Sequence, residues 1–397
     1  MIVSLITLIL ILLPIAYWFM LALAAIRMPS RRSRLTRKPV TRFAITIPAH
    51  DEASVIGATV SRLRNLDYPS DMYAIHIVAD HCTDETGRLA QEAGAVVHER
   101  QDGPRTGKGA ALAWLFERML TEPYDAVVVF DSDTQVEPDF LRVMDARLAE
   151  ESQVIQGQHI IRNPESGWFP ALTWAMFLID NRFQNLGRSN LGWSAKNMGD
   201  SICFRADILR NLGWGEGLTE DYQLRQRLLL AGIKISYEPR AKGYGEAPRT
   251  WAQARAQRAR WLRGTQTASQ QLARQLLKAA IKHRDLAILD GALQAYLPSF
   301  STLTVIGVLA LLAQLLLNKV FLPPLIAPSL IYAWIGVCVA LFVYPLFGLA
   351  LERAPARAYF VILTGPLFIL WRTALAITSR YSRRPAIWVR TSHGETK

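Results

Sequence analysis

The chain has 397 residues, 51% of which are hydrophobic, and its formal net charge is +12. This length allows two or three domains, and the hydrophobic content is high for a purely soluble protein. The arginines cluster beside the hydrophobic ends, which excludes a nucleic-acid partner and indicates a membrane surface with anionic headgroups. The three cysteines, Cys82, Cys203 and Cys338, form no metal-binding spacing, and we assign them no chemistry.

The N-terminal segment, residues 1–27, predicts a transmembrane helix, because residues 1–26 carry no charge and are long enough to cross a bilayer. A cleaved signal peptide is the alternative, but basic residues do not precede the apolar stretch. They follow it, in a basic linker at residues 28–42. By the positive-inside rule, this order predicts that the N-terminus lies outside and that the next domain lies in the cytoplasm.

Residues 43–247 predict a cytoplasmic α/β domain with a doubly wound, mostly parallel sheet, because short β-like runs alternate with helical stretches. The predicted strands are residues 43–48, 74–79, 95–98 and 127–130. The predicted helices are residues 53–66, 84–93, 108–120 and 138–150. Ligands of such sheets bind at the carboxyl ends of the strands, so polar residues at those ends are the first candidates for a site.

Acidic residues follow three of the predicted strands. Asp51 and Glu52 follow the first strand, Asp80 follows the second, and Asp131 and Asp133 follow the fourth. Clusters at the ends of strands in one sheet predict a shared crevice. The last two carboxylates, one residue apart, suit a hard divalent cation that serves a phosphorylated ligand. For any single residue, the alternative is an acidic turn or a helix cap.

A glycine-rich stretch, residues 103–109, precedes the helix that begins at Lys108. It is not a phosphate loop of the Walker type, because the glycine spacing is one residue short and Gly109 stands where Ser or Thr must hold magnesium. Lys108 still provides a cation at the start of a helix, beside a predicted phosphate position.

A further acidic pair opens a predicted helix that runs to Leu230. Thr219 is a suitable N-cap, and Glu220 and Asp221 lie in the first turn. Stabilisation of the helix N-terminus is therefore one explanation for both carboxylates. Catalysis is the other.

Three polar or aromatic residues, Gln257, Arg260 and Trp261, are spaced to lie on one face of a helix. The guanidinium offers a fork for a pyrophosphate, and the indole offers a flat surface for a sugar ring. The alternative for residues 248–296 is a pair of interfacial amphipathic helices against lipid, because arginines recur there. Both interpretations can hold together.

The C-terminal region, residues 297–379, predicts two or three transmembrane helices. Residues 297–317 and 325–351 are each long enough to span, whereas residues 358–377 are interrupted by a proline and an arginine. A basic tail, residues 380–397, favours a cytoplasmic C-terminus. Three crossings that start from a cytoplasmic domain would instead place the tail outside. One hydrophobic segment is therefore predicted to re-enter or to lie in the interface.

Four motifs together resemble the signature of the membrane-embedded family 2 inverting glycosyltransferases: Asp80, Asp131-Ser132-Asp133, Thr219-Glu220-Asp221 and Gln257-x-x-Arg260-Trp261. That group includes cellulose, chitin and hyaluronan synthases, and this sequence is most similar to its compact bacterial exopolysaccharide type. The resemblance implies a nucleotide-diphospho-sugar transferase fold of the GT-A type, at the cytoplasmic face of a bacterial inner membrane.

The resemblance also implies a role for each matched residue. The donor nucleotide and its diphosphate would be bound by Glu52, Asp80, Lys108, Asp131 and Arg260. The pyrophosphate and the acceptor would be held by Glu220, Gln257 and Trp261. Asp133 would coordinate Mg2+ or Mn2+, and Asp221 would be the general base.

The implied activity is inverting transfer of a hexosyl or N-acetylhexosaminyl group from a UDP-sugar to a growing exopolysaccharide. The alternative is transfer of a single sugar to a lipid or polyprenyl-linked acceptor. The implied partners are the donor, the acceptor and membrane lipids. Further copies of this chain or a secretion partner are also implied, because one copy has few crossings with which to build a polymer channel.

Overall fold

The computed structural model describes residues 2–28, 38–215, 217–320 and 327–381. Its strands are β1 (Phe43–Ala49), β2 (Tyr73–Asp80), β3 (Val96–Arg100), β4 (Ala126–Val129), β5 (Gln135–Val136), β6 (Val154–Ile161), β7 (Ile202–Arg205) and β8 (Ile235–Gly245). The helices of the first half are α1 (Ile2–Ala24), α2 (Ile56–Leu63), α3 (Thr86–Glu92), α4 (Lys108–Met119), α5 (Phe140–Leu148), α6 (Trp168–Asp180) and α7 (Gly187–Asn190). Those of the second half are α8 (Ala206–Leu212), α9 (Glu220–Leu230), α10 (Trp251–His283), α11 (Leu286–Tyr296), α12 (Phe300–Val320), α13 (Pro328–Leu351), α14 (Ala356–Ile362) and α15 (Gly365–Tyr381).

The strands form one mixed sheet in the order β3-β2-β1-β4-β7-β6-β8-β5. Strands β1 to β4 pair in parallel, and β6 pairs in parallel with β8. Only β7 and the short β5 run against their neighbours within the described sheet. The predicted α/β fold with a mostly parallel sheet is therefore confirmed.

The central strands are buried on both faces, because successive side chains of a strand point to opposite sides of the sheet. On β4, Ala126 and Val128 pack in the core covered by α2 and α5. Val127 and Val129 pack in the core covered by α4, α8 and α9. This continuous apolar run is what the sequence predicted for the strand that precedes Asp131.

Two side-chain caps that the sequence offered do not form. The helix expected over residues 53–66 spans Ile56–Leu63, and Asp51 does not cap it. Asp51 instead accepts hydrogen bonds from the backbone N–H groups of Thr83 (2.7 Å) and Asp84 (3.3 Å), which ties the turn after β1 to the turn after β2. Thr219 stands at the N-cap position of α9, but its buried hydroxyl has no hydrogen-bond partner among the described residues.

Three helices, α1, α12 and α13, are long and apolar enough to cross a membrane. Helices α14 and α15 are long and apolar enough only when they are taken together, and they are bent by 48° at the break between them. This pair corresponds to the interrupted segment predicted at residues 358–377. The basic side chains predicted to orient the chain lie mostly in residues 29–37 and 382–397, which are outside the described residues.

A buried polar cluster joins α1 to the catalytic half of the chain. Asp290 on α11 accepts hydrogen bonds from Arg188 (2.9 Å), Arg225 (3.2 Å) and the hydroxyl of Tyr17 on α1 (2.5 Å). Arg225 lies on α9, the helix that begins with Glu220. The apolar helix α1 and the helix that carries the acidic pair are thus fixed to the same carboxylate.

Candidate active site

A cavity of about 240 Å3 lies at the carboxyl ends of β1, β2, β4 and β8, and α10 forms its opposite wall. Every site residue predicted from the sequence lines it: Glu52, Asp80, Lys108, Asp131, Asp133, Glu220, Asp221, Gln257, Arg260 and Trp261. The predicted convergence of strand ends on one crevice is therefore observed in the fold.

A buried ion pair holds the turn that carries Asp131 and Asp133. Asp200 accepts hydrogen bonds from the backbone N–H of Asp131 (3.0 Å) and from the hydroxyl of Thr134 (2.9 Å), and its other oxygen lies 2.6 Å from Nδ1 of His159. Burial opposes the charge of both groups. The contact nevertheless lowers the pKa of Asp200 and raises the pKa of His159, and both shifts favour the charged forms.

Lys108 lies at the first position of α4 and reaches into the cavity. Its Nζ is 2.5 Å from Oδ1 of Asp131 and donates a hydrogen bond of 2.5 Å to the carbonyl oxygen of Gly199. Burial by itself lowers the pKa of this amine, but the charges of Asp131 and Glu220 outweigh burial and raise it. A fixed cation therefore stands between the Asp131 turn and the loop at Gly199.

The ends of β1 and β2 supply the buried carboxylates of the cavity floor. Asp80 is 4% exposed and Glu52 is 5% exposed. Asp80 pairs with Arg100 at 2.5 Å, and the backbone N–H of Glu52 donates to the hydroxyl of Thr86 at 2.7 Å. The carboxylate of Asp80 and the backbone at Glu52 are thus each held by a residue of a neighbouring element.

The acidic pair at the start of α9 faces the same space. Burial raises the pKa of Glu220, and the adjacent charge of Asp221 adds to the effect. Burial also raises the pKa of Asp221, against the opposing effect of Lys108 and Arg260. A carboxylate with a raised pKa is a stronger base than a solvated one, so the burial of the site offsets the acidifying effect of the helix N-terminus.

Helix α10 brings the remaining predicted residues over the cavity. It begins with a capping box between Thr250 and Gln253, in which the side chain of each accepts from the backbone N–H of the other at 3.4 Å. Arg260 donates a hydrogen bond of 3.1 Å to the carbonyl oxygen of Leu218, just before α9. At Gly264, an added Cβ would lie 2.6 Å from Oγ1 of Thr219. The close approach of α10 and α9 therefore depends on glycine.

We expect Gly264→Ala to displace α10 from α9 and to lower the free energy of unfolding by about 1–3 kcal/mol, the usual cost of overpacking. Thermal unfolding of the purified full chain measures the effect. Gly336→Ala is the matched control, because an added Cβ there meets nothing within 4 Å. Equal losses in the two variants, or no loss at Gly264, would contradict this packing argument.

The contributors to the site that were missed from the sequence include Arg100, His159 and Glu246. Glu246 follows β8, pairs with Arg162 at 2.9 Å, and its backbone N–H donates to Oδ2 of Asp133 at 3.2 Å. His159 and Glu246 depend on β6 and β8, which the sequence pattern did not predict. Arg100 ends β3, a predicted strand, and its position beside Asp80 was accessible to the strand-end argument.

The fold and the cavity together define a class of protein, the nucleotide-sugar transferases of the GT-A type. The sheet is mixed, an acidic pair follows its central strand, and a long helix covers the cavity. Residues 39–264 match the model of a family described as glycosyltransferase like family 2. The chain belongs to that family.

Several known proteins are similar to more than half of the chain. A probable glycosyltransferase of Bacillus subtilis, YdaM, is 28% identical over 256 residues, which cover 59% of this chain and 57% of that protein. A beta-monoglucosyldiacylglycerol synthase of Nostoc is 30% identical over 233 residues, or 56% of this chain and 48% of that protein. A poly-beta-1,6-N-acetyl-D-glucosamine synthase of Staphylococcus epidermidis is 25% identical over 246 residues, or 59% and 58%. The matched regions span about half the length of these relatives.

One solved structure is similar over nearly the whole chain. It is the mannosyltransferase PcManGT of Pyrobaculum calidifontis, in complex with GDP-mannose and Mn2+. The TM-score is 0.56, the identity is 16%, and the match covers 96% of each chain. A likeness at this identity supports the shared fold alone.

Proposed function

We propose that this family 2 glycosyltransferase is an inverting enzyme that transfers a hexosyl or N-acetylhexosaminyl group from a UDP-sugar to an acceptor hydroxyl. The observation that carries the proposal is the single cavity in which the base candidate Asp221 faces the cations Lys108 and Arg260. Growing exopolysaccharide is the first acceptor we propose. The cytoplasmic face of a bacterial inner membrane is the proposed location.

Inversion needs one displacement at the anomeric carbon of the donor sugar. The acceptor oxygen forms a bond to that carbon as the bond from the carbon to the phosphate oxygen breaks, and the nucleoside diphosphate leaves with the electron pair. Asp221 takes the proton of the acceptor hydroxyl. Lys108 and Arg260 stabilise the charge that develops on the leaving diphosphate.

The residues present fit a divalent cation, Mg2+ or Mn2+. Among the described residues that line the cavity, carboxylates outnumber lysine and arginine by seven to three, so an anionic diphosphate needs a further positive charge. Asp133 would hold the cation together with diphosphate oxygens. When bound, the cation neutralises charge on the departing diphosphate.

The other cavity residues take positions around the donor. We assign Glu52 and Asp80, at the ends of β1 and β2, to the uridine, and Asp131 to the nucleotide sugar. Glu220, Gln257 and Trp261 are assigned to the pyrophosphate and acceptor side, next to α9 and α10. Trp261 provides a flat ring on which a sugar can stack.

The membrane topology we propose follows the apolar helices. With α1 crossing inward, the catalytic domain lies in the cytoplasm, α10 and α11 lie along the interface, and α12 and α13 cross out and back. The bent pair α14 and α15 then re-enters, which leaves the basic tail on the cytoplasmic side. Polymer export would require further copies of the chain or a secretion partner.

Transfer of a single sugar to a lipid-linked acceptor is the second candidate. One observation favours it: an apolar cavity of about 590 Å3 among α1, α6, α12, α13, α14 and α15. Product length, measured by mass spectrometry, separates a polymer from a single addition.

A panel of UDP-glucose, UDP-galactose, UDP-N-acetylglucosamine and GDP-mannose tests the donor assignment. Nucleotide release by the purified full chain is measured with Mg2+, with Mn2+ and with EDTA. We expect one UDP-sugar to exceed GDP-mannose at least about tenfold, a discrimination worth about 1.4 kcal/mol, and EDTA to abolish release. Preference for GDP-mannose overturns the uridine assignment. Release that is unaffected by EDTA overturns the metal assignment.

A further inference from the structure

The apolar cavity among the membrane-side helices has a charged part. Its volume of about 590 Å3 lies within the range of about 300–1,000 Å3 that is typical of ligand sites. Most of its surface is hydrocarbon, but Asp180, Lys196 and Arg372 also line it. Lys196 pairs with Asp180 at 2.7 Å, and Arg372 donates a long hydrogen bond of 3.5 Å to Ser301.

Arg258 lies between this cavity and the catalytic one. Its guanidinium carbon is 4.7 Å from the ring centroid of Trp261, which lines the catalytic cavity. The same carbon is 5.8 Å from the ring centroid of Phe368, which lines the apolar cavity. On α10, Arg258 directly follows Gln257, which lines the catalytic cavity.

Two nitrogen atoms of the Arg258 guanidinium are buried without the hydrogen-bond partners that such a group normally has. Its Nε and Nη2 have no hydrogen-bond partner among the described residues. Burial, together with the charge of Arg372, lowers the pKa of Arg258 to about 9. Among the described residues, the carboxylate that acts on it is Asp180, which is already paired with Lys196.

A buried cation with unsatisfied N–H groups is costly unless an anion or a set of acceptors meets it. Arg372 cannot offset this cost, because it is also positively charged and its charge acts unfavourably on Arg258. Cation–π contacts with Trp261 and Phe368 compensate in part but do not satisfy the N–H groups. The arrangement is complementary to a compact anion with several acceptor oxygens, attached to a hydrocarbon chain.

We propose that the apolar cavity binds the hydrocarbon chain of a membrane lipid, that Arg258 and Arg372 bind its phosphate, and that a saccharide carried on this phosphate is the acceptor. The role as acceptor rests on the proposed glycosyltransferase function. Such a lipid consists of a hydrocarbon chain, then a phosphate, then a sugar. These groups correspond in order to the apolar cavity, to Arg258, and to Trp261 with the catalytic cavity.

The reaction then leaves the lipid phosphate unchanged. A hydroxyl of the lipid-linked saccharide gives its proton to Asp221 and forms the new bond to the anomeric carbon of the donor. The bond from that carbon to the diphosphate breaks, and the nucleoside diphosphate departs. Arg258 is thus a positioning residue for the acceptor, and takes no part in bond making.

Binding of hexadecyl phosphate and of hexadecanol to the full chain, in micelles of an uncharged detergent, tests the site by native mass spectrometry. We expect hexadecyl phosphate to bind at least about tenfold more tightly than hexadecanol. In Arg258→Gln and in Arg372→Gln, we expect this ratio of affinities to fall about tenfold. Thr304→Trp, which fills the apolar cavity, should weaken both ligands. Arg255→Gln, an exposed position on the same helix, is the control and should change neither.

Equal affinity for the two ligands, or wild-type selectivity in both arginine variants, overturns the proposal. So does displacement of hexadecyl phosphate by an equal concentration of inorganic phosphate, which would indicate an anion site with no role for the chain. Nucleotide release is measured on the same preparations, and the control Arg255→Gln should leave acceptor-free release unchanged. If the protein releases nucleotide but does not prefer hexadecyl phosphate to hexadecanol, only the present inference is contradicted. If it shows that preference but releases nucleotide from no donor, the proposed function is contradicted.

Discussion

Replacing Asp221 by Asn should lower the rate of sugar transfer about 10^3-fold, within the range of about 10^2–10^4 that general-base catalysis contributes. The amide keeps the size of the side chain and its contact with the first turn of α9, but it cannot accept the acceptor proton. Affinity for the nucleotide sugar should change little, because Asp221 is assigned to the acceptor. Radiolabelled transfer and nucleotide binding, measured on the same membranes, separate the two effects.

The pH dependence of the wild type gives a second test of Asp221. A base must be deprotonated to act, so the rate falls as the pH drops through its pKa. Because burial raises that pKa, the acid limb of kcat/KM should lie above the ordinary aspartate value of about 3.9. Asp207→Asn, at an exposed carboxylate on α8, is the control and should keep both rate and profile. Wild-type transfer by Asp221→Asn would remove Asp221 as the base.

The strand ends of the first half of the chain were predictable because local pattern and tertiary role agree there. The apolar run of β4 is buried on both faces, and Asp131 and Asp133 follow it directly. The helical spacing of Gln257, Arg260 and Trp261 is local as well, and α10 keeps it. The positions of such residues follow directly from the periodicity of the strand or helix that carries them.

The second half of the sheet was not predictable from pattern, because its strands depend on pairing between distant segments. β8 contains Pro239 and two glycines, residues that are depleted in strands, and β6 is interrupted at Gly157. The register shifts at Gly157, where an added Cβ would approach the carbonyl oxygen of Ser201 to 2.9 Å. The His159–Asp200 pair depends on this pairing, so the support of the Asp131 turn had no local signature.

Thr219 illustrates the opposite error, in which a local preference is overridden. Its sequence position is that of a good N-cap, but its side chain packs against Gly264 of α10. The approach of a helix more than 30 residues away in the chain decides the conformation. The same packing of α10 against α9 places Arg260 beside Leu218. The missing side-chain cap at Thr219 is therefore a result of the packing that covers the cavity.

Replacing Asp133 by Asn should shift the metal requirement of the enzyme rather than its acceptor chemistry. The amide removes a negative charge from the ligand proposed for Mg2+ or Mn2+, and hard cations bind anionic oxygens in preference to neutral ones. We expect the metal concentration for half-maximal nucleotide release to rise at least about tenfold, since even outer-shell changes at metal sites cost about 10–100-fold in affinity. Titration of EDTA-treated protein with Mn2+ and with Mg2+ measures the shift.

Two variants separate this role of Asp133 from a general loss of negative charge. Asp71→Asn, at an exposed carboxylate just before β2, should leave the metal titration unchanged. Asp131→Asn lies in the same turn but releases Lys108 from its 2.5 Å contact, so it should weaken donor binding at saturating metal. Identical titrations for Asp133→Asn and the wild type would show that Asp133 does not hold the cation. A metal shift in Asp131→Asn as large as that in Asp133→Asn would instead assign the ion to both carboxylates, because only a shared ligand set loses affinity equally at either position.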